Sequence, residues 1–550
     1  MAKEQADQVQ EKPVRSAKEQ MIRGSIWMTA GSVFSRVLGA IYVIPWMIWM
    51  GSQSAALTAN ALFTKGYQIY AIFLIISTAG VPGAVSKQVA RYNAMNEYKT
   101  GLRLFYHGVL AMSVMGVISF GAMWLLAPVL SAGDTRMIPV FQSLAWPLLI
   151  IPVLSLIRGF FQGYNEMAPS AISQFIEQVA RVIYMLVTVY AIMQLGNHDL
   201  VHAVSQSTFA AFIGAIFGLG TLILYFVKQR PRLHRLAAEG EDNLNISVNQ
   251  ILLEVAQQAI PFIIMDSSIN LYYIIDQYSF EPMMMRLFNT NKDQLDQIYA
   301  LFAGNANKLI MIVVSLAVAM AITAVPLLAA AKTRGDVREL ANQITNNLQL
   351  FFIIMIPSAF GMAAISQPLY VIFYGYNDLG IAMLHFSSFL AILLGLFTVL
   401  AAILQGLFNN RLAIIEMLIG FATKIVLQWP LIFFFNVYGP LMATMIGMAV
   451  SSYLMLHSMH EQYHFHARQT VRRVTGITAF SLLMYFAVRV IIFGFNQVVN
   501  PASRQWSVVM LIVALVVGVA IYGYLVLKTR LAEYVVGARV SGIRRRLHIR

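Results

Sequence analysis

Six basic residues stand inside long apolar runs: Arg36, Lys65, Arg158, Arg181, Lys308 and Lys424. A charge at the centre of a membrane-spanning helix costs about 2.5–3.5 kcal/mol on insertion scales, so it is kept where it faces a cavity or a partner. Cations fixed in apolar surroundings can replace the water around an anion with charge-assisted hydrogen bonds. Arginine offers a planar fork for this, and lysine a point charge. The chemistry these residues suggest is the binding of something negative.

Arg36 is the deepest of the six, near the middle of its run in Ser35-Arg36-Val37-Leu38-Gly39. Lys65 and Lys308 fall near the starts of their runs, within reach of snorkelling to the headgroups. Arg158 lies five residues from the end of its run and is also placed to snorkel. Arg181 follows Glu177 by one helical turn, and such a pair can neutralise itself. Lys424 has no acid one turn away. Asp266 and Asp276 share one run with Gln257 and Asn270. They can hold a cation, pair with a cavity lysine, or pack polar helix against polar helix.

Other chemistries lack their residues. No Walker loop is present, so the chain is not expected to drive itself with ATP. There is no cysteine, which excludes disulfides and thiolate metal sites. His457, His460 and His464 share a helix face, but Glu461 is the sole carboxylate near them, so no metal is expected. No catalytic constellation stands out. We expect a protein that is not an enzyme and needs no cofactor.

The elements that position these charges are spans. The 550 residues are 59% hydrophobic and 11% charged, against roughly a quarter charged in soluble chains. Apolar runs of bilayer-spanning length predict an all-α polytopic membrane protein with fourteen spans. They cover about 26–50, 62–88, 104–127, 139–163, 170–194, 204–227, 251–276, 300–330, 346–373, 382–408, 412–435, 438–459, 474–495 and 506–528. The net charge of +14 gathers in short loops on one side, for example Lys87, Arg91, Lys99 and Arg103, then Lys228, Arg230, Arg232 and Arg235. The other side holds only Arg136, Arg286, Lys292 and Arg504. The positive-inside rule puts the basic side, and both termini, in the cytoplasm. That distribution argues against nucleic acid as a partner. The longest loop on the other side, about 277–299, is too short for a catalytic domain.

The chain also repeats itself. Lys65 and Lys308 are 243 positions apart (308 − 65), and the same offset links Gln162-Gly163 to Gln405-Gly406 and Arg181 to Lys424. Thr78-Ala79-Gly80-Val81-Pro82 resembles Thr323-Ala324-Val325-Pro326, though the prolines are offset by one more residue. Six spans per copy keep both halves in one orientation, with a site expected between them near the midplane. The resulting division is an N-lobe (1–228), an inter-lobe loop (229–250), a C-lobe (251–460), two added spans (461–528) and a basic tail (529–550). The small-residue spacings Gly214/Gly218 and Gly439/Ala443/Gly447 suit close helix packing within a bundle.

With these residues in view, the chain resembles the MurJ lipid II flippase family, in its Gram-positive form. The likeness runs through Ser35–Gly39, Thr78–Lys87, Arg158-Gly159-Phe160-Phe161-Gln162-Gly163-Tyr164-Asn165 and Glu177–Arg181. It implies a two-lobed transporter with a central cationic cavity, working as a monomer in the cell membrane. Arg36 corresponds to the family's first-helix arginine, and Lys308, in Ala306-Asn307-Lys308-Leu309, to a basic residue early in the eighth helix. Lys65 falls approximately at a third. A further first-helix arginine of some members is absent here, where Tyr42-Val43-Ile44-Pro45 stands. The implied substrate is an undecaprenyl-diphosphate-linked sugar, most directly the peptidoglycan precursor. Arg36, Lys308 and Lys65 would hold its diphosphate. Arg181, Lys424, Arg158, Glu177, Asp266 and Asp276 are further cavity candidates. Export of other lipid-linked polysaccharide units is the alternative. Membrane lipids are the remaining partners, and the two added spans are expected to form a groove for the lipid tail.

Overall fold

The computed structural model describes residues 38–39, 41–78, 80–240, 248–536 and 544, and among them there is no strand. Among the described residues, eleven helical runs are long and apolar enough to cross a membrane. One of them, Asn410–Tyr463, is two helices joined by a short turn at Asn436–Tyr438. Most of the expected first span, and the side chains in the first part of the seventh, lie outside the described residues. Fourteen therefore stays an expectation, while the all-helical membrane class is plain. Leu125, Leu224, Val426, Val490 and Val516 stand exposed on the bundle, as lipid-facing side chains do.

The N-lobe contains α1 (Val43–Trp49), α2 (Gln53–Thr78), α3 (Val81–Ala94), α4 (Tyr98–Leu130), α5 (Met137–Gly163), α6 (Ala168–Tyr190) and α7 (Leu200–Glu239). The C-lobe contains α8 (Val248–Phe288), α9 (Lys292–Tyr299), a π-helical segment (Ala300–Ala306), α10 (Asn307–Arg334), α11 (Val337–Ala364), α12 (Ser366–Tyr374), α13 (Asp378–Gly406), α14 (Asn410–Phe435) and α15 (Gly439–Tyr463). Then come α16 (Ala467–Val498), α17 (Arg504–Lys528) and the short α18 (Leu531–Val536). Side-chain caps start several of these. Asp199, Asn291, Asp336 and Asn377 each accept a hydrogen bond from a first-turn N–H.

The repeat is visible in the packing. α2 lies on α5 as α10 lies on α13, and α6 pairs with α7 as α14 pairs with α15. The duplicated Gln-Gly dipeptides mark close approaches. A Cβ on Gly163 would fall 2.9 Å from the Ser86 carbonyl oxygen, and one on Gly406 would fall 3.1 Å from that of Val325. The copies differ after the second helix. Gly80, at φ 73°, takes the left-handed conformation and separates α2 from α3. The second copy has Thr-Ala-Val-Pro without the glycine, and α10 runs on to Gly335. The small-residue patterns seat neighbouring helices. A Cβ on Gly214 would stand 2.7 Å from the Glu177 carbonyl, and one on Gly447 would stand 2.7 Å from that of Gly420. Gly214→Val is therefore expected to push α7 off α6 and lower stability by about 1–3 kcal/mol, read as a drop in thermal unfolding temperature in detergent.

Several boundaries move. α2 begins at Gln53, not 62, so Lys65 is twelve residues into its helix, about 18 Å at 1.5 Å per residue. The run carrying Lys308 begins at Lys292, sixteen residues earlier. Neither lysine is near a helix end, as snorkelling would need. α7 continues through the basic cluster to Glu239, so much of the expected inter-lobe loop is helix. Its Lys, Gln, Arg, Leu and Ala residues are good helix formers, and Arg232 is anchored to Glu166 at 2.7 Å. The expected long loop 277–299 is instead the end of α8 and all of α9 around a tight turn at Asn289–Asn291.

Candidate functional site

The two lobes are tied together at the face opposite the basic loops. Lys65 of α2 reaches across to Glu281 of α8, and to Asp296 of α9 at 2.6 Å. Asp296 also accepts from Arg136 at 2.6 Å, and Arg136 holds Asp134 at 2.8 Å and Asp293 at 3.3 Å. Lys292 closes the ladder on Asp134 at 3.2 Å. Burial alone would push the Asp134 carboxyl up. The hydrogen bond and charge of Arg136, with Lys292, more than offset this and hold it well below the usual carboxylate range. A polar layer follows beneath. Asn60 donates to Asn305 at 2.6 Å, Asn305 to Tyr370 at 2.7 Å, and Tyr299 to Gln68 at 2.7 Å. Asn305 belongs to the π-helical segment, an irregularity that recurs at functional sites.

Further along the same helices, toward the basic face, lies a cavity of about 510 Å³ between the lobes. α2 lines it with Tyr67 and Gln68, α6 with Gln178 and Arg181, α8 with Asp266 and Asn270, and α10 with Asn307 and Lys308. The Lys308 ammonium donates to Asn60 Oδ1 at 2.8 Å and lies 4.8 Å from the Phe63 ring centroid. Among the described residues no carboxylate forms an ion pair with it. An ammonium held by a neutral amide and an aromatic face keeps its charge available to an anion.

Arg181 opens onto a second cavity of about 470 Å³, which lies within the N-lobe and also touches Arg158, Glu177 and Gln162. Glu177 is shared there. It pairs with Arg158 at 2.8 Å and with Arg181 at 3.4 Å.

With that geometry in place, the comparisons with known proteins converge. Residues 21–332 match the family described as "Polysaccharide biosynthesis protein". Lipid II flippase MurJ of Bacillus subtilis (strain 168) is 33% identical over 546 residues, spanning 96% of this chain and 98% of that one. The chain belongs to the MurJ lipid II flippase family. A solved structure titled "Lipid II flippase MurJ, inward closed conformation" matches with a TM-score of 0.57 over 91% of this chain and 98% of that one, at 12% identity. An outward-facing MATE family transporter of the MOP superfamily also scores 0.57, over 84% and 97% of the two chains, at 14% identity. At such identities these structures speak for the fold alone.

Within this MurJ-family fold the expected site residues that are described separate into four places. Lys308, Arg181 and Asp266 line the central cavity. Arg158 and Glu177 line the side cavity with Arg181. Arg158 does not snorkel; its guanidinium turns inward to Ser173 at 2.9 Å and to Glu177. Lys65 is absent from the cavity lining and is buried in the inter-lobe ladder. Lys424 and Asp276 also sit apart from the cavity, buried within the C-lobe. There the Lys424 ammonium donates to Asp276 Oδ2 at 2.8 Å, to the Tyr272 carbonyl at 2.7 Å and to Thr444 Oγ1 at 2.7 Å. Of the readings open to Asp276, it pairs with a lysine, but that lysine stands outside the cavity, on the C-lobe side of α8. Arg36 lies outside the described residues. The sequence reading missed the ladder acids Glu281 and Asp296 and the Asn60–Asn305–Tyr370 chain. Glu281, Asp296 and Asn60 fell in stretches read as loop, while Asn305 and Tyr370 stood inside expected spans with no partner one turn away to mark them.

Proposed function

We propose that this chain translocates undecaprenyl-diphosphate-linked peptidoglycan precursor, lipid II, across the cell membrane. It acts as a transporter and not as an enzyme. The supporting observation is Lys308: a cation without a carboxylate partner among the described residues, in a cavity between two lobes that the ladder and the amide layer beneath it tie at the opposite face. A diphosphate cannot cross hydrocarbon with its charge bare. Lys308, with Arg36 from the first span, would replace its hydration, and Asn270, Asn307 and Gln178 offer neutral hydrogen bonds around them. By the positive-inside rule the cavity side would face the cytoplasm, with both termini, and the ladder would face outside. Loading then occurs from the cytoplasm while the ladder holds. Separation of the lobes outside, with closure inside, delivers the substrate to the outer leaflet. Neither step makes or breaks a covalent bond.

The test is rescue of a bacterium depleted of its own lipid II flippase, followed by identification of the lipid-linked sugar that accumulates inside. The wild-type chain is expected to restore growth and clear lipid II. Lys308→Ala removes one charge-assisted contact worth about 1.5–3 kcal/mol, so flipping is expected to fall roughly tenfold to a hundredfold at normal membrane insertion. Lys308→Arg should keep most of it. Failure of the wild-type chain to clear lipid II, with clearance of another lipid-linked glycan instead, would reassign the substrate.

A further inference from the structure

The side cavity is more than the wall of the central one. It is enclosed by the N-lobe alone, between α2, α3, α5 and α6, and it meets the central cavity at Tyr67, Ala71 and Arg181. Two guanidiniums face it, and one carboxylate serves both. The cluster therefore carries one net positive charge in surroundings where charge is costly. Arg158 is committed: its Nε donates to Ser173 and its Nη2 to Glu177. Arg181 is not. Its single bond to Glu177 is long, at 3.4 Å, and its Nε has no acceptor among the described residues, though it is buried. Gln162 and Gln174 supply neutral donors and acceptors on the same wall.

A structural ion pair has no need of the second arginine. One carboxylate is neutralised by one guanidinium, and adding another leaves a fork with unused donors. We infer that this side cavity is a second anion subsite, which takes a carboxylate carried by the head group while the diphosphate sits at Lys308. This rests on the transport reading above. The charge decides between carboxylate and phosphate. One net positive charge matches a single carboxylate, whose two oxygens suit the arginine fork. A diphosphate is better served by the central cavity, where Lys308 is unneutralised. Because Arg181 borders both spaces, a head group with its phosphates at Lys308 can extend past it into the N-lobe.

The experiment compares two short-chain polyprenyl-diphosphate probes binding to the full-length protein in detergent. One carries a disaccharide with a peptide bearing free carboxylates. The other is identical but with those carboxylates amidated. The wild type is expected to favour the carboxylate probe by about tenfold, the worth of one charge-assisted hydrogen bond. Arg158→Gln should erase that preference while leaving affinity for the amidated probe where it was. It leaves Glu177 still paired with Arg181, so folding is spared. Glu177→Gln should act oppositely, freeing both arginines and raising the preference; a purely structural cluster predicts no such gain. Equal wild-type affinity for the two probes would overturn the subsite and leave the Lys308 reading standing. So would equal weakening of both probes by Arg158→Gln, which would give the arginines to the diphosphate or to the fold. Binding of neither probe by the wild type would overturn both readings.

Discussion

Exchange of Lys424 for alanine is expected to destabilise the protein by about 3–5 kcal/mol, the usual cost of removing one member of a buried ion pair. Lys424 is fully buried, and its three donors are matched one to one by Asp276, the Tyr272 carbonyl and Thr444. These partners come from α8 and α15, so a single ammonium joins three helices of the C-lobe. Without it, Asp276 keeps neutral donors such as the Gln428 amide, at 2.9 Å, but no base among the described residues to answer a full negative charge away from water. The stranded carboxylate, more than the lost contacts, sets the size of the effect. A double variant, Lys424→Met with Asp276→Leu, removes both charges and should recover most of the loss. Thermal unfolding in detergent of the wild type, Lys424→Met, Asp276→Leu and the double variant gives the coupling energy directly. A single variant as stable as the wild type would show that water reaches Asp276.

The same pair marks the limit of what the sequence disclosed. Every one of the costly charges described above was visible in the linear chain, because a base inside an apolar run is conspicuous whatever the fold. Their partners were not. Lys424 meets an acid 148 positions away, Lys65 one 231 positions away, and Arg158 one on the neighbouring helix. One-turn spacing can reveal only pairs within a helix, and it found Glu177–Arg181, the longest of these contacts at 3.4 Å. Depth misled for a related reason. Hydropathy begins α2 where the residues turn apolar, but Gln53-Ser54 and the short residues after them are helical too, stitched to the other lobe by Gln53 to the Tyr376 carbonyl and by Gln297 to Ser54. Tertiary contacts extended the helix past its apolar run, and a lysine read as peripheral became buried. The duplication, by contrast, was legible, and its matching glycines sit at close helix crossings in both copies, tighter at Gly163 than at Gly406.

Lys65→Ala is expected to open the outer face. Lys65 is the N-lobe's buried contribution to the ladder and answers two C-lobe carboxylates at once. With it gone, Asp296 retains Arg136, but Glu281 is left in a largely buried site with no base among the described residues. The closed state alone bears that cost, because parting the lobes wets both acids. A penalty of about 3–5 kcal/mol on one of two states shifts their ratio more than a hundredfold. The chain has no cysteine, so one introduced at Ala303, buried beneath the ladder on the cavity wall, is a unique reporter. In intact cells a membrane-impermeant maleimide should label Ala303→Cys slowly, and at least about tenfold faster when Lys65→Ala is added. Flipping should fall in the same variant, since a transporter held open outside cannot reload. The wild-type rate should be flat from pH 5 to 8 as far as Asp134 is concerned. Its carboxyl is held below the ordinary value of about 3.9, so its contribution to the closed state is complete above that value and is lost only as pH falls further, through the depressed one. An unchanged labelling rate in Lys65→Ala would mean that the amide layer of Asn60, Asn305 and Tyr370, rather than the ion pairs, keeps the outer face shut.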